Sequence, residues 1–214
     1  EWAVRLPAAI SAAIGIFSVG GLTRDIARAT GHINPARLAV FGAAAFALVP
    51  FFQMSAVLVT IDGPLIACWA AGAWMCWRAF FATGHARLLA WATLGAAIGI
   101  GFLFKYTMLL MLPGIALAFF WMRPRIAFDR TAKVGMAIAA IVVLLALAPV
   151  ALWNAQHDWV TVRHLLGHLG VAGGDMPVAG ASAQAPREAR KWFEWLPIGP
   201  IGLALMQVGL CLLY

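Results

Sequence analysis

Long apolar runs alternate with short polar connections along most of this chain. Seven of the runs are close to the length of about 20 residues that an α-helix needs to cross a bilayer. They cover residues 6–22, 38–58, 64–82, 88–104, 106–122, 134–153 and 197–214. The runs at 88–104 and 106–122 are near the lower limit, so they are either a pair of untilted spans or a hairpin that does not fully cross. The pattern predicts an all-α polytopic membrane protein.

The composition supports a membrane protein. The chain is 64% hydrophobic and 11% charged, whereas a soluble domain carries roughly 25% charged residues. A net charge of +7 would suggest nucleic acid as the partner of a soluble protein, but here the basic residues lie in short loops between apolar runs. We therefore predict the lipid bilayer as a partner and no nucleic acid. The three cysteines show neither metal-ligand spacing nor a disulfide pattern.

The basic connections predict the orientation in the membrane. Residues 23–37 and 123–133 each contain several basic residues, and residues 83–87 contain Arg87, with Arg78 one or two turns before them. They alternate with the connections that hold Asp62 and Lys105. Because cytoplasmic loops are enriched in Arg and Lys, we expect the basic connections to be cytoplasmic. Asp62, Lys105 and the region that follows the run 134–153 are then extracytoplasmic.

The same pattern predicts three regions along the chain. Residues 1–153 form transmembrane helices with short loops, residues 154–196 form an extracytoplasmic loop, and residues 197–214 begin a further transmembrane helix. Within the loop, the apolar positions of residues 159–169 predict a short helix that lies in the membrane interface. The chain starts without Met and stops inside an apolar run, so we expect a fragment that is cut at both ends.

Small residues predict one helix–helix contact. Gly95 and Gly99 form a Gly-x-x-x-Gly pair inside the run 88–104. Such pairs let two helix backbones approach closely in a membrane. We expect another helix to pack on this face.

Polar residues gather on the predicted extracytoplasmic side. A cation there can bind the phosphate of a lipid-linked substrate, and a carboxylate can take a proton from an incoming hydroxyl group. An isolated charge between two apolar runs is expensive to bury, so it belongs at the membrane face. The candidate residues are Glu1, Arg5, Asp62, Lys105, Tyr106, Asn154, His157, Asp158 and His168.

Several candidates also have a purely structural interpretation. Asp62 precedes Gly-Pro, which suits an acidic cap at a helix start. Lys105 could simply extend from a helix end to the interface, and Asp158 could cap a second helix. His164 and His168 are four residues apart on one helical face, but no carboxylate accompanies them in the pattern. The sequence therefore supports no metal ion and no other cofactor.

Four ordered segments resemble the motifs of bacterial glycosyltransferases that use lipid-linked sugars. Two of them are Glu1-Trp-Ala-Val-Arg5-Leu-Pro7, similar to E-x-x-x-R-x-P, and Thr60-Ile-Asp62-Gly-Pro64-Leu65 with Trp69, similar to T-x-D-x-P-L…W. The others are Gly99-Ile-Gly-Phe-Leu-Phe-Lys105-Tyr106-Thr107, similar to G-L-x-x-L-S-K-Y-T, and Pro149-Val-Ala-Leu-Trp153-Asn154-Ala-Gln-His157-Asp158-Trp159 followed by Gly167-His168, similar to P-x-x-x-W-N-x-x-H-x-W…G-H. The family is the protein-mannosyltransferase-like group, which includes aminoarabinose transferase. Phe104 departs from the motif, since the family usually has Ser there.

The resemblance implies the transmembrane bundle of the C-type glycosyltransferases. It implies inverting transfer from a polyprenyl (undecaprenyl) phosphate sugar to a glycolipid, polysaccharide or protein, at the outer face of the bacterial inner membrane. It also implies a catalytic aspartate in a loop that would precede residue 1, so we expect this fragment to be incomplete and inactive. Lys105, Arg5 and Tyr106 are then predicted to bind the donor phosphate, with Asp62 as a catalytic or site-organising acid.

Two other functions remain open at this point. A transporter or flippase of lipid-linked substrates would carry polar residues at mid-bilayer and broken helices, and these apolar runs have almost none. A non-catalytic membrane subunit would need no acid and lysine at the surface.

Overall fold

A computed structural model describes residues 2–49 and 60–168. These residues form α1 (Trp2–Ala29), α2 (Pro35–Leu48), α3 (Asp62–Phe81), α4 (Gly84–Phe104), α5 (Met111–Met122), α6 (Arg130–Gln156) and α7 (Val160–His168), with 3₁₀ helices at Tyr106–Leu110 and Arg123–Arg125. No strand occurs in them, so the all-α prediction is confirmed. Predictions about Glu1, residues 50–59 and residues 169–214, including the run at 197–214, fall outside the described residues.

Four helical segments are long and apolar enough to cross a membrane. They are Arg5–Ala29, Gly84–Phe104, Tyr106–Arg125 and Arg130–Gln156. The two short runs of the sequence are therefore two separate candidate spans. α3 is 20 residues long but is not one of the four, because its tryptophans and Arg78 lower its hydropathy. α2 is shorter, and the rest of its predicted run lies outside the described residues.

The predicted loop at residues 23–37 is too long. α1 continues to Ala29, so Arg24 and Arg28 lie in its last two turns rather than in a loop. It ends where Gly31 takes φ +72°, and the N–H groups of Gly31 and His32 donate to the carbonyls of Arg28 and Ala27. This is the Schellman arrangement that closes many helices. An apolar run marks where the membrane core ends, whereas the helix continues until its backbone is capped.

The contact predicted from small residues is confirmed. A Cβ atom added at Gly95 would lie 2.7 Å from the carbonyl oxygen of Ala139, and one added at Gly99 would lie 2.5 Å from the Cβ atom of Ala146. Both partners are on α6, so α4 and α6 pack with their backbones very close. Residue numbers rise together along the contact, which shows that the two helices run in the same direction.

The core lies between α3, α4 and the start of α5. Phe80, Trp91, Leu94, Ile98 and Met108 are among its buried side chains. α3 and α4 form an antiparallel hairpin, so the start of α3 and the end of α4 meet at one end of this core. We call this the Lys105 end, defined by Asp62, Lys105 and Tyr106. The opposite end, defined by Arg78, Arg87 and Asp129, is called the Arg87 end.

The chain divides into two compact units, Glu1–Trp153 and Asn154–Tyr214. The first contains α1 to α5 and nearly all of α6. The second contains α7.

Candidate functional site

Lys105 is the single residue between two helices. α4 ends at Phe104, and a 3₁₀ helix begins at Tyr106. Lys105 itself is extended, with φ −158° and ψ 128°. Its N–H donates to the carbonyl of Gly101 at 3.0 Å, and its own carbonyl accepts from the N–H of Met108 at 3.0 Å. Both backbone groups are thus satisfied, and the side chain starts from a well-defined point.

Packing of the returning segment holds this turn in place. Met108 is fully buried and lies against Gly101 on α4 and Cys68 on α3. Met111, at the start of α5, is also buried and lies against Gly72 of α3. Because flexible thioether side chains fill irregular gaps well, they suit a place where a helix stops and another starts. The sequence showed these methionines only as part of an apolar run.

Asp62 faces Lys105 and does not cap its helix. It is the first residue of α3, and the helix start at Ile61 has no side-chain cap. The Oδ1 atom of Asp62 instead accepts a hydrogen bond from the Nζ atom of Lys105 at 3.1 Å. The cap interpretation is therefore wrong. A carboxylate in the first turn still complements the positive end of the helix dipole.

The Asp62–Lys105 pair is open to solvent. The side chains are 40% and 39% exposed, and exposed ion pairs contribute only about 0–1 kcal/mol to stability. An ammonium group has three N–H donors, and Asp62 takes one of them. The pair is therefore weak enough for an anionic ligand to replace Asp62 as the partner of the lysine. Tyr106 follows directly and is half exposed.

Arg5 is not brought into contact with this pair. It lies exposed on the second turn of α1 and makes no hydrogen bond or ion pair with the described residues. α1 runs in the same direction as α3, because residue numbers rise together along their contact, from Gly21 against Trp74 to Asp25 beside Arg78. Arg5 thus lies toward the Lys105 end, without touching it.

Asn154 organises the start of α7 in the second unit. It is buried, and its backbone carbonyl accepts from the N–H groups of His157 at 3.1 Å and Trp159 at 2.9 Å. Its side-chain Oδ1 accepts from the N–H of Thr161 at 3.1 Å. Asn154 is therefore the cap of this helix. The alternative that Asp158 caps it is wrong.

Asp158 and Trp159 form a strained turn before α7. Both have positive φ, 53° and 56°, and left-handed backbone costs about 1–2 kcal/mol per non-glycine residue. Both side chains are exposed, as is His157. A short helix is present at Val160–His168, with His168 as its last residue. Its location in the membrane interface stays a prediction.

Arg87 has a role that the sequence analysis missed. It was counted only as a cytoplasmic charge, but its side chain is 2% exposed. It donates to the carbonyls of Ala79, Phe80 and Ala127 at 2.8–2.9 Å, and to the carboxylate of Asp129 at 3.1 Å. It therefore caps the C-terminal end of α3 and ties it to the start of α6. The only signal in the sequence is Asp129 before Arg-Thr-Ala, an N-cap pattern.

Within residues 2–49 and 60–168, no three His, Cys, Asp or Glu side chains come together in a group that could hold a metal ion. Among the described residues of the first unit, the Asp62–Lys105 pair is the place where an acid and a cation from the predicted set are in contact. An exposed ammonium beside a carboxylate, at the end of two apolar helices, is suited to bind a phosphate at a membrane surface.

Comparison with known proteins identifies the family. Lipid A galacturonosyltransferase RgtD of Rhizobium johnstonii is 38% identical over 71 residues, which are 33% of this chain and 14% of the relative. The chain therefore spans only a small part of the length of this relative. No solved structure matches the chain. The sequence model of the dolichyl-phosphate-mannose-protein mannosyltransferase family matches residues 1–153, well over half of the 214 residues, so the chain belongs to this family.

Proposed function

We propose that the protein is a membrane glycosyltransferase that moves a sugar from a polyprenyl phosphate, such as undecaprenyl phosphate, to an acceptor. The observation that carries the proposal is the exposed Asp62–Lys105 pair at the end of two packed apolar helices. The family is described by transfer from a dolichyl-phosphate sugar. The name of the relative adds a glycolipid acceptor, lipid A. The proposed acceptor is a glycolipid, a polysaccharide or a protein.

Lys105 is proposed to bind the phosphate of the donor. During transfer the bond between the sugar C1 and the phosphate oxygen breaks, and the phosphate gains negative charge. A fixed ammonium group stabilises that charge more strongly in the transition state than in the ground state, which accelerates the reaction. The extended backbone of Lys105 and its two backbone hydrogen bonds support such a fixed position.

The other candidates are assigned around this contact. Asp62 is proposed to orient Lys105 until the phosphate arrives, and then to act as an acid or base beside the reacting sugar. Arg5 and Tyr106 are proposed as further ligands of the phosphate. An acceptor hydroxyl oxygen attacks C1, and its proton passes to a carboxylate, either Asp62 or an acid in another part of the full-length protein.

The second unit has candidates of its own, which are proposed as functional residues on the basis of the motif resemblance. Asn154 would position the strained turn, while His157 and Asp158 offer exposed polar groups. Strained backbone persists where the surrounding structure holds it, and such places are often functional. His168 and Glu1 stay predictions that rest on the motif resemblance.

The proposed site faces the periplasm in the inner membrane of a bacterium. The Arg and Lys residues at the Arg87 end support this orientation, because such residues are enriched on the cytoplasmic side. Ile61 and Pro124 are both exposed and lie at opposite ends. In a cysteine-free full-length background, Ile61→Cys should react with an impermeant thiol reagent in intact spheroplasts, and Pro124→Cys should react only after lysis. The reverse result would contradict the orientation.

Turnover by the full-length protein tests the function. Purified protein in proteoliposomes is given a radiolabelled polyprenyl-phosphate sugar and lipid A, and the released polyprenyl phosphate and labelled acceptor are measured. We expect Lys105→Met to lower turnover about 10²–10³-fold, the usual effect of removing one group that stabilises a developing charge. Lys105→Arg should retain only part of the turnover of the unmodified protein, because a planar guanidinium does not replace a compact ammonium.

Lys133→Met is the matched control. Lys133 lies at the Arg87 end over the ring of Phe128, so its loss removes the same charge far from the proposed site. Turnover should stay near that of the unmodified protein. Normal turnover by Lys105→Met at saturating donor would rule out the proposed role. Movement of the donor across the membrane without sugar transfer would instead support a flippase. The absence of both activities would support a non-catalytic subunit.

A further inference from the structure

Two arginines at the Arg87 end share one carboxylate. Asp25, in the second-last turn of α1, has its Oδ1 atom 3.8 Å from the Nε atom of Arg24. Its Oδ2 atom is 3.9 Å from the Nε atom of Arg78 on α3, and it accepts a hydrogen bond from the indole Nε1 of Trp74 at 2.9 Å. The guanidinium carbon of Arg78 lies 5.8 Å from the centre of the Trp74 ring. One acid therefore gathers two cations and an aromatic ring.

The two arginines keep most of their hydrogen-bonding capacity. A guanidinium has five N–H donors, and the distances to Asp25 are longer than a hydrogen bond. The Nε–H group of Arg24 is buried without a hydrogen-bond partner. The side chains of Arg24 and Arg78 are 43% and 41% exposed. Arg87, at the same end, differs because four acceptors already engage it.

We propose that Arg24 and Arg78, held together by Asp25, bind the phosphate of an anionic phospholipid head group. Two positive charges against one negative charge leave the cluster with a net charge of about +1. Guanidinium groups bind phosphate oxygens through paired, charge-assisted hydrogen bonds. A phosphodiester would supply acceptors to both arginines and relieve the repulsion between them. This inference does not depend on the reaction proposed for the Lys105 end.

The surroundings favour a lipid over a free anion. The cluster lies toward the ends of α1 and α3, and Ile26, the residue after Asp25, is an exposed apolar side chain in the same turns of α1. Trp74 brings an aromatic ring to the level of the arginines, as is common at membrane interfaces. The basic connections predict that this end faces the cytoplasm, where anionic lipids attract Arg and Lys. A soluble phosphate would gain nothing from the apolar surface.

Lipid binding by the full-length protein tests the proposal. Purified protein is mixed with phosphatidylglycerol or phosphatidylcholine in detergent, and bound lipid is counted by native mass spectrometry. We expect the unmodified protein to prefer phosphatidylglycerol, and Arg24→Gln with Arg78→Gln to lower its affinity by about tenfold or more. Arg24→Lys with Arg78→Lys should keep the charge but lose part of the affinity, since the fork geometry is lost.

The matched control is Arg123→Gln with Arg125→Gln. These arginines are exposed and lie at the same end, but they form no ion pair with Asp25. Their replacement therefore removes the same charge without touching the cluster. Affinity for phosphatidylglycerol should change little. Equal losses in the two glutamine pairs would reduce the site to diffuse surface charge and overturn the proposal. Displacement of the lipid by millimolar inorganic phosphate, or no lipid preference in the unmodified protein, would also overturn it. Thermal unfolding of each variant in the presence of phosphatidylcholine checks that the variants are folded.

Discussion

The ion pairs at the two ends of the first unit are equally short but differ in their surroundings. Arg87–Asp129 and Lys105–Asp62 are both 3.1 Å long. Arg87 is 2% exposed and donates to three carbonyls besides the carboxylate. Lys105 is 39% exposed, and Asp62 is the only side chain among the described residues with which it forms a hydrogen bond or an ion pair.

The difference separates a structural cation from one that is available to a ligand. Four of the five N–H donors of Arg87 are directed at protein acceptors, so a ligand would have to replace several hydrogen bonds at once. Lys105 would exchange one exposed carboxylate, a partner of small energetic value. Distance alone does not distinguish the two pairs; burial and the number of acceptors do.

The largest expected effect comes from Arg87. Replacing it with Met removes four hydrogen bonds and leaves the carbonyls of Ala79, Phe80 and Ala127 without this donor. Because unsatisfied buried groups cost about 1–3 kcal/mol each, we expect the free energy of unfolding to fall by about 3–5 kcal/mol. Thermal or denaturant unfolding in detergent measures this. Arg125→Met, at an exposed position of the same end, should change stability by less than about 0.5 kcal/mol. Similar losses of unfolding free energy in Arg87→Met and Arg125→Met would show that Arg87 is not a structural cation and would contradict the difference between the two ends.

The next effect concerns α4, the helix that joins the two ends. Gly95→Ala places a Cβ atom 2.7 Å from a backbone oxygen of α6, and overpacking of this kind costs about 1–3 kcal/mol. Gly114→Ala meets no atom within 4 Å and should be neutral or stabilising by up to about 1 kcal/mol, because alanine favours a helix. Unfolding measurements on both variants test this. If Gly95→Ala proves neutral, the α4–α6 contact is looser than the structure indicates.

The smallest effect is expected for the exposed pair itself. Asp62→Asn and Lys105→Met should each change the free energy of unfolding by no more than about 1 kcal/mol, although Lys105→Met is expected to abolish most turnover. The same unfolding assay, run beside the transfer assay, separates stability from function. A loss of several kcal/mol in either variant would make the Lys105 end structural, like the Arg87 end.

Part of the candidate site follows from local sequence. The acid in Thr60-Ile-Asp62-Gly-Pro64 and the lysine between two apolar runs were both found as isolated charges, because an apolar background makes a charge conspicuous. The alternative interpretation of Asp62 as a helix cap was wrong, since the carboxylate accepts a hydrogen bond from Lys105, 43 residues away. Arg5 was predicted to share the phosphate, yet the structure brings it only to the same end and into no contact.

Arg87 shows the limit of reading charges from their neighbours in sequence. A basic residue in a short loop between apolar runs has the appearance of a topological signal. Its acceptors come from the end of α3 and from residues 127 and 129, which no local pattern connects to it. Asp25 is similar, since its partners Trp74 and Arg78 lie on another helix.

The sequence alone determined that the chain is helical, where most apolar helices lie, which glycines face another helix, and which charged residues stand apart. These properties depend on hydropathy and on spacing within one helix, so a short window of residues contains them. The tertiary structure decided which charges are paired, which are saturated with hydrogen bonds and which remain open. Those properties depend on the side chains that the packing of α3, α4 and α6 brings together, and such partners are distant in sequence.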